Sequence, residues 1–213
     1  MGLVIFDCDG VLVDSEPLAN RVLHRLLESA GLRMTLEEVM RAYIGRTRQG
    51  CIDLTEEKLG RPVPATFVAD WNALLFETFR AELQPVPGVV ELLAQLSVPY
   101  CVASNSGADR VRVALGATGL LERFEGRIFT ADEVARPKPA PDLFLHAARS
   151  MGFEPAHCTV VEDSATGVRA AVAAGMAVLG YAGAPHADPA ALAAAGAEVF
   201  MDMQQVGERL RNE

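Results

Sequence analysis

The sequence predicts an α/β fold: a parallel sheet with helices on both faces, plus an all-helical segment inserted after the first strand. Three observations carry this expectation. Short apolar runs alternate with helical patterns through most of the chain, which is the mark of consecutive strand–helix units. The runs are uniformly apolar, as strands buried on both faces are. Between the first run and the second lies a long stretch with helical periodicity and no convincing strand.

The elements follow in order. Strands are expected at residues 3–6, 100–103, 127–129, 159–161 and 177–179. Helices are expected at 89–96, 109–115, 141–151 and 165–174, with Gly116, Gly152 and Gly175 where C-caps belong. Pro189 marks a helix start in the Ala-rich segment 187–197. In the inserted stretch, Leu18, Val22, Leu26 and Leu27 fall on one helix face. Thr35 and Glu38 have capping-box spacing, and Trp71, Leu74, Leu75, Phe76 and Phe79 form another apolar face. Pro85, Pro87 and Gly88 return the chain to the α/β pattern. The expected organisation is a core of residues 1–14 and 84–213, with a helical domain at 15–83.

Half of the 213 residues are apolar and 22% are charged, enough for a folded core. The net charge of −9 and the scattered basic residues argue against nucleic acid and anionic membranes as partners. The longest uncharged stretch, 170–186, is broken by Gly175, Gly180, Gly183 and Pro185, which excludes a membrane span. Cys8, Cys51, Cys101 and Cys158 form no CxxC pair and read as free buried thiols. The chain enters a strand at Leu3 with no leader pattern. These features predict a soluble, cytoplasmic protein, and no extended apolar pattern points beyond a monomer.

Strands of such a sheet present their C-terminal ends to a shared crevice. Asp7-Cys8-Asp9-Gly10 follows the first strand, Ser104-Asn105 the second and Glu162-Asp163-Ser164 the fourth; Arg136-Pro-Lys138-Pro-Ala-Pro-Asp142 precedes the fourth. Each motif alone is an ordinary polar turn or helix cap. Together, in order and at strand ends, they place carboxylates, a hydroxyl, an amide and an ammonium on one edge. So many carboxylates call for a hard divalent cation, and oxygen-only donors favour Mg²⁺ over zinc. A carboxylate beside such an ion can attack phosphorus. Lys138, Ser104, Asn105 and backbone N–H groups near Gly10 can neutralise the phosphoryl oxygens. The four histidines show no metal-ligand spacing, and no Gly-x-Ser-x-Gly elbow is present.

These four motifs, the first running from Asp7 to Glu16, resemble those of the haloacid dehalogenase-like superfamily of phosphohydrolases across nearly the whole chain. The resemblance implies a Rossmann-like core with a helical cap after the first strand. It implies that Asp7 is nucleophile and metal ligand, and that Asp9 is general acid and then base, with its backbone carbonyl on the metal. Ser104, Lys138 and Asn105 would hold phosphate, and Glu162 and Asp163 would complete the Mg²⁺ site. The likeness is greatest to the branch of β-phosphoglucomutase and small sugar-phosphate phosphatases. There a cap segment of the form Gly-x-x-Arg, here Gly45-Arg46-Thr47-Arg48, would bring Arg48 or Arg46 to the substrate. The mutase pattern carries a cap His shortly after the first motif; here 15–20 has none. The resemblance therefore implies a phosphatase acting on a small phosphorylated metabolite. A sugar-phosphate mutase and a non-catalytic binding protein of the same fold are the alternatives.

Overall fold

The computed structural model describes residues 2–43, 46–184 and 187–211. By its internal contacts the chain divides into two compact units, Met1–Asp14 with Gln84–Glu213, and Ser15–Leu83.

The first unit is built on six parallel strands: β1 (Leu3–Phe6), β2 (Tyr100–Ser104), β3 (Ile128–Thr130), β4 (Cys158–Glu162), β5 (Ala177–Tyr181) and β6 (Glu198–Phe200), in the order β3-β2-β1-β4-β5-β6. This is the strand order of a Rossmann fold, in keeping with the Rossmann-like core expected. Successive residues of one strand point to opposite faces. Leu3, Ile5, Cys101, Ala103, Cys158 and Val160 therefore share a buried cluster with Leu143, Phe144 and Val168. Those last three belong to α8 (Asp142–Met151) and α9 (Ala165–Ala173), which cover that face with α10 (Pro189–Ala195). On the other face Phe6 meets Tyr100 edge-on, and Tyr100 meets Phe124. Here lie α5 (Val89–Gln95), α6 (Ala108–Ala117), α7 (Leu121–Phe124) and α11 (Met203–Arg211).

The expected strands are present, each within two residues of its anticipated ends. β6 was not foreseen. It is a three-residue edge strand, exposed at Glu198 and only half-buried after it, so it lacks the apolar run that marks an inner strand. The four-residue α7 escaped for the same reason of length. Gly152 is a left-handed C-cap as expected, and Gly175 directly follows the C-cap Ala174. Gly116 is not a C-cap: α6 runs past it to Ala117, and Gly119 takes the positive φ of the turn.

The second unit contains α1 (Glu16–Ser29), α2 (Leu36–Tyr43), α3 (Arg48–Leu59) and α4 (Phe67–Glu82), and no strand among its described residues. Leu18, Val22, Leu26 and Leu27 are buried on α1, which packs on α2 and α4. The Thr35 capping box forms, with Thr35 N–H donating to Glu38 at 2.7 Å and Glu38 N–H to Thr35 Oγ1 at 3.2 Å. The chain leaves and re-enters the first unit at adjacent points, since Asp14 N–H donates to Gln84 C=O at 3.0 Å. Closely spaced ends are what let a domain be inserted with little disturbance to its host.

Candidate active site

The strand order reverses between β1 and β4, and that is where acidic residues gather. Val161 is the register partner of Phe6, so Asp7 and Glu162 come one residue later on neighbouring strands. Asp7 N–H is held by Val161 C=O at 2.9 Å. The carboxylates of Asp7, Glu162 and Asp163 each offer an oxygen within 4.8 Å of the others, and no other such trio of potential metal ligands is found among the described residues.

Lys138 reaches into this group. Its Nζ donates to Asp7 Oδ1 at 2.6 Å, to Glu162 Oε1 at 2.7 Å and to Ala103 C=O at 2.9 Å. An ammonium has three donors, so all are used. The Phe144 ring lies beneath it, with its centroid 4.6 Å from Nζ. The loop that carries Lys138 is fixed at both ends. Asn105 accepts from Lys138 N–H at 2.9 Å and donates to Lys138 C=O at 3.0 Å. Arg136 grips Asp142, the first residue of α8, through two bonds of 2.9 Å. The Lys138–Pro139 peptide is cis.

Three carboxylates against one ammonium leave an excess of negative charge in a buried place. Burial pushes the Asp7 carboxyl well above the usual carboxylate range; Lys138 opposes this, while Glu162 and Asp163 add to it. Burial alone would lower Lys138, but Asp7 and Glu162 outweigh it and hold the ammonium above its ordinary value. A hard cation relieves the same imbalance, and the donor set is entirely oxygen, which suits Mg²⁺.

Glycine makes this crowding possible. Gly10 has φ +80°, and a Cβ there would strike the Asp163 carboxylate. Its N–H donates to Val13 C=O at 2.8 Å, and its lack of a side chain leaves room for Asp163. A Cβ on Gly167 would likewise strike Glu162, whose Oε2 accepts from Ser164 N–H and Oγ at 3.0 and 2.9 Å.

Asp9 has partners of its own. Ser106 Oγ donates to its Oδ2 at 2.7 Å and Arg110 Nη2 to its Oδ1 at 2.8 Å. Ser104 ends β2 and is buried, and its Oγ accepts from Ser106 N–H at 3.0 Å. Thus Asp7, Gly10, Lys138, Glu162 and Asp163 form one cluster, and Asp9, Ser104 and Asn105 adjoin it through Ser106 and Lys138. Arg46 and Arg48 are exposed in the inserted unit; Arg46 Nε donates to Ala42 C=O at 2.8 Å, and Arg48 opens α3 behind the Thr47 N-cap. Gly45 of that segment lies outside the described residues. Ser106, Arg110 and Phe144 were not singled out from sequence. Ser106 stands two residues beyond a motif serine, which was the one available signal.

Residues 1–175 match the haloacid dehalogenase-like hydrolase family. This chain belongs to that family. The 6-phosphogluconate phosphatase of Escherichia coli is 31% identical over 187 residues, 87% of this chain and 85% of that one. The fructose-1-phosphate phosphatase YqaB of the same organism is 31% identical over 179 residues, 81% of this chain and 92% of its own. A candidate β-phosphoglucomutase from Thermotoga maritima superposes with a TM-score of 0.85 at 28% identity, covering 100% of this chain and 99% of the other. The expected family resemblance is borne out. Among the described residues of this haloacid dehalogenase-like hydrolase, no helix is long and apolar enough to cross a membrane.

Proposed function

We propose that this phosphatase hydrolyses a small sugar phosphate or phosphorylated sugar acid with Mg²⁺, through a phosphoryl group carried on Asp7. The observation that supports it most is the meeting of Asp7 with Glu162, Asp163 and the Lys138 ammonium at the reversal of strand order. Asp7, Glu162, Asp163 and the Asp9 backbone carbonyl would hold the ion, which when bound supplies charge neutralisation for the phosphoryl oxygens.

In the first step a carboxylate oxygen of Asp7 bonds to phosphorus as the ester P–O bond breaks, and Asp9 gives a proton to the departing oxygen. As the Asp7 oxygen bonds to phosphorus, Lys138 exchanges its bond to that carboxylate for one to a phosphoryl oxygen, which the Ser104 hydroxyl also meets, and Asn105 serves them by fixing the Lys138 backbone. In the second step Asp9 takes a proton from water, the water oxygen bonds to phosphorus, and the Asp7–phosphorus bond breaks to release phosphate. Residues 1–14 and 84–213 act as the catalytic core. Residues 15–83 act as a cap, from which Arg48 or Arg46 contacts the sugar. The substrate class is drawn from the relatives that act on 6-phosphogluconate and fructose 1-phosphate.

The test is phosphate release from a panel of sugar phosphates and phosphorylated sugar acids, with Mg²⁺ and with EDTA. Mg²⁺-dependent release that Asp7→Asn abolishes is the expected result. Release that survives EDTA or Asp7→Asn would refute the proposal.

A further inference from the structure

Asp9 is held more firmly than a residue at a strand end needs to be. Both its carboxylate oxygens are engaged, Oδ1 by Arg110 Nη2 at 2.8 Å and Oδ2 by Ser106 Oγ at 2.7 Å. The Asp9 and Arg110 side chains are only 19% and 21% exposed, so the pair is largely withdrawn from water. Ser106 and Arg110 sit on either side of the start of α6, after β2, the neighbour of β1. The two catalytic carboxylates thus receive different cations. Asp7 meets an ammonium, a point charge that constrains orientation weakly. Asp9 meets a planar guanidinium through Arg110 Nη2 on one oxygen and the Ser106 hydroxyl on the other, so its carboxyl is held from two sides. That division suits their tasks, because proton transfer depends on the carboxyl lying within hydrogen-bond reach of the leaving oxygen.

We infer that Arg110 is the positioning residue for proton transfer: acting through Asp9, with Ser106 as the second jaw of the clamp, it sets the direction in which the Asp9 carboxyl faces. The inference rests on the proposed role of Asp9. Arg110 touches neither substrate nor metal in this account.

The test compares wild type, Arg110→Met and Arg110→Lys on a sugar phosphate and on 4-nitrophenyl phosphate. The alkoxide of the sugar needs a proton to depart; nitrophenolate leaves without one. Positioned acid–base transfer contributes about 10²–10⁴-fold, so Arg110→Met should lower kcat for the sugar phosphate by about 10- to 100-fold, a part of that factor. Because hydrolysis of the Asp7 phosphoryl group is common to both esters and also uses Asp9, the comparison is made on the first step: the first-turnover release of nitrophenolate should be slowed much less than that of the sugar, and Arg110→Lys should recover part of the sugar-phosphate loss. In an Asp9→Asn background, removing Arg110 should cost nothing more. Equal first-turnover losses on the two esters, a raised KM at unchanged kcat, or a full additional loss in the Asp9→Asn background would each overturn the inference. A crystal structure of Arg110→Met gives a second readout. The Asp9 carboxyl should turn or spread over several orientations, and finding it unmoved overturns the inference whatever the turnover. Wild type inactive on both esters would refute the phosphatase reading instead, and the crystal structure would still decide the clamp.

Discussion

Lys138→Met removes the ammonium and keeps most of its apolar stem. In the native protein Lys138, Asp7 and Glu162 are 6%, 8% and 1% exposed, so water cannot replace the lost charge. Asp7 loses its bond of 2.6 Å and Glu162 its bond of 2.7 Å. Removing one partner of a buried ion pair costs about 3–5 kcal/mol, because a charge is left uncompensated. At about 2–4 °C per kcal/mol for a chain of this size, Tm in EDTA at pH 7.5 should fall by roughly 6–20 °C. The pH dependence has a definite sign. Burial already raises the Asp7 carboxyl and Lys138 opposes this, so without the ammonium Asp7 binds its proton still more tightly folded than unfolded. Stability is then fully present below the unfolded carboxyl pKa and is lost as pH rises through the folded one. The gap between variant and wild type should therefore narrow toward acid pH. Thermal melts followed by circular dichroism from pH 5 to 8 measure both effects. A Tm within about 2 °C of wild type at pH 7.5, less than 1 kcal/mol, would refute the reasoning, as would a gap that stays constant with pH.

Three other outcomes are expected. Because burial and the Glu162 and Asp163 charges raise the Asp7 carboxyl, protons compete with metal there, so Mg²⁺ should raise Tm more at pH 8 than at pH 5; an equal shift would contradict the shared site. Gly10→Ala places a methyl on the Asp163 carboxylate at φ +80°, so it should lose stability by at least the roughly 1–2 kcal/mol of a left-handed non-glycine residue and lose Mg²⁺-induced stabilisation, while a wild-type Mg²⁺ response would show that the crowding is harmless. Burial raises the thiols of Cys8, Cys51 and Cys101, and pushes Cys158 up to about 11; at pH 7.5 iodoacetamide should therefore label the folded protein slowly and the guanidinium-unfolded protein fast, and rapid labelling of folded Cys8 would contradict its burial.

The parts of the fold that were legible in the sequence are those whose cause is local. A strand buried on both faces must be apolar throughout, so Leu3–Phe6 and the core of Cys158–Glu162 announce themselves. An amphipathic helix such as α1 shows its buried stripe directly. β6 depends on pairing with β5 rather than on its own composition, and no local pattern marks it. The site divides in the same way. Residues at strand ends follow from strand positions alone, and so Asp7, Glu162 and Asp163 could be placed at one edge, whereas Lys138, in the loop between β3 and α8, was named from its motif. What those residues touch does not follow. Arg110 lies 101 positions from Asp9, and only the adjacency of β1 and β2 brings them together. Asn105 could be placed near the site, but its two hydrogen bonds to the Lys138 backbone depend on the course of a loop 33 positions away. Gly10 was legible as a turn glycine, whereas the space it leaves for Asp163 exists only in three dimensions.

The most direct measurement is made on Asp9→Asn protein, in which the second step is slowed. The protein is mixed with Mg²⁺ and 4-nitrophenyl phosphate, whose leaving group needs no proton from residue 9, quenched in acid within the first turnover, digested and read by mass spectrometry. The peptide containing Asp7 should carry one phosphoryl group, and the group should be absent when Asp7 is also replaced by Asn. Phosphate release with no phosphoryl group on Asp7, or with the group on another residue, would contradict the account.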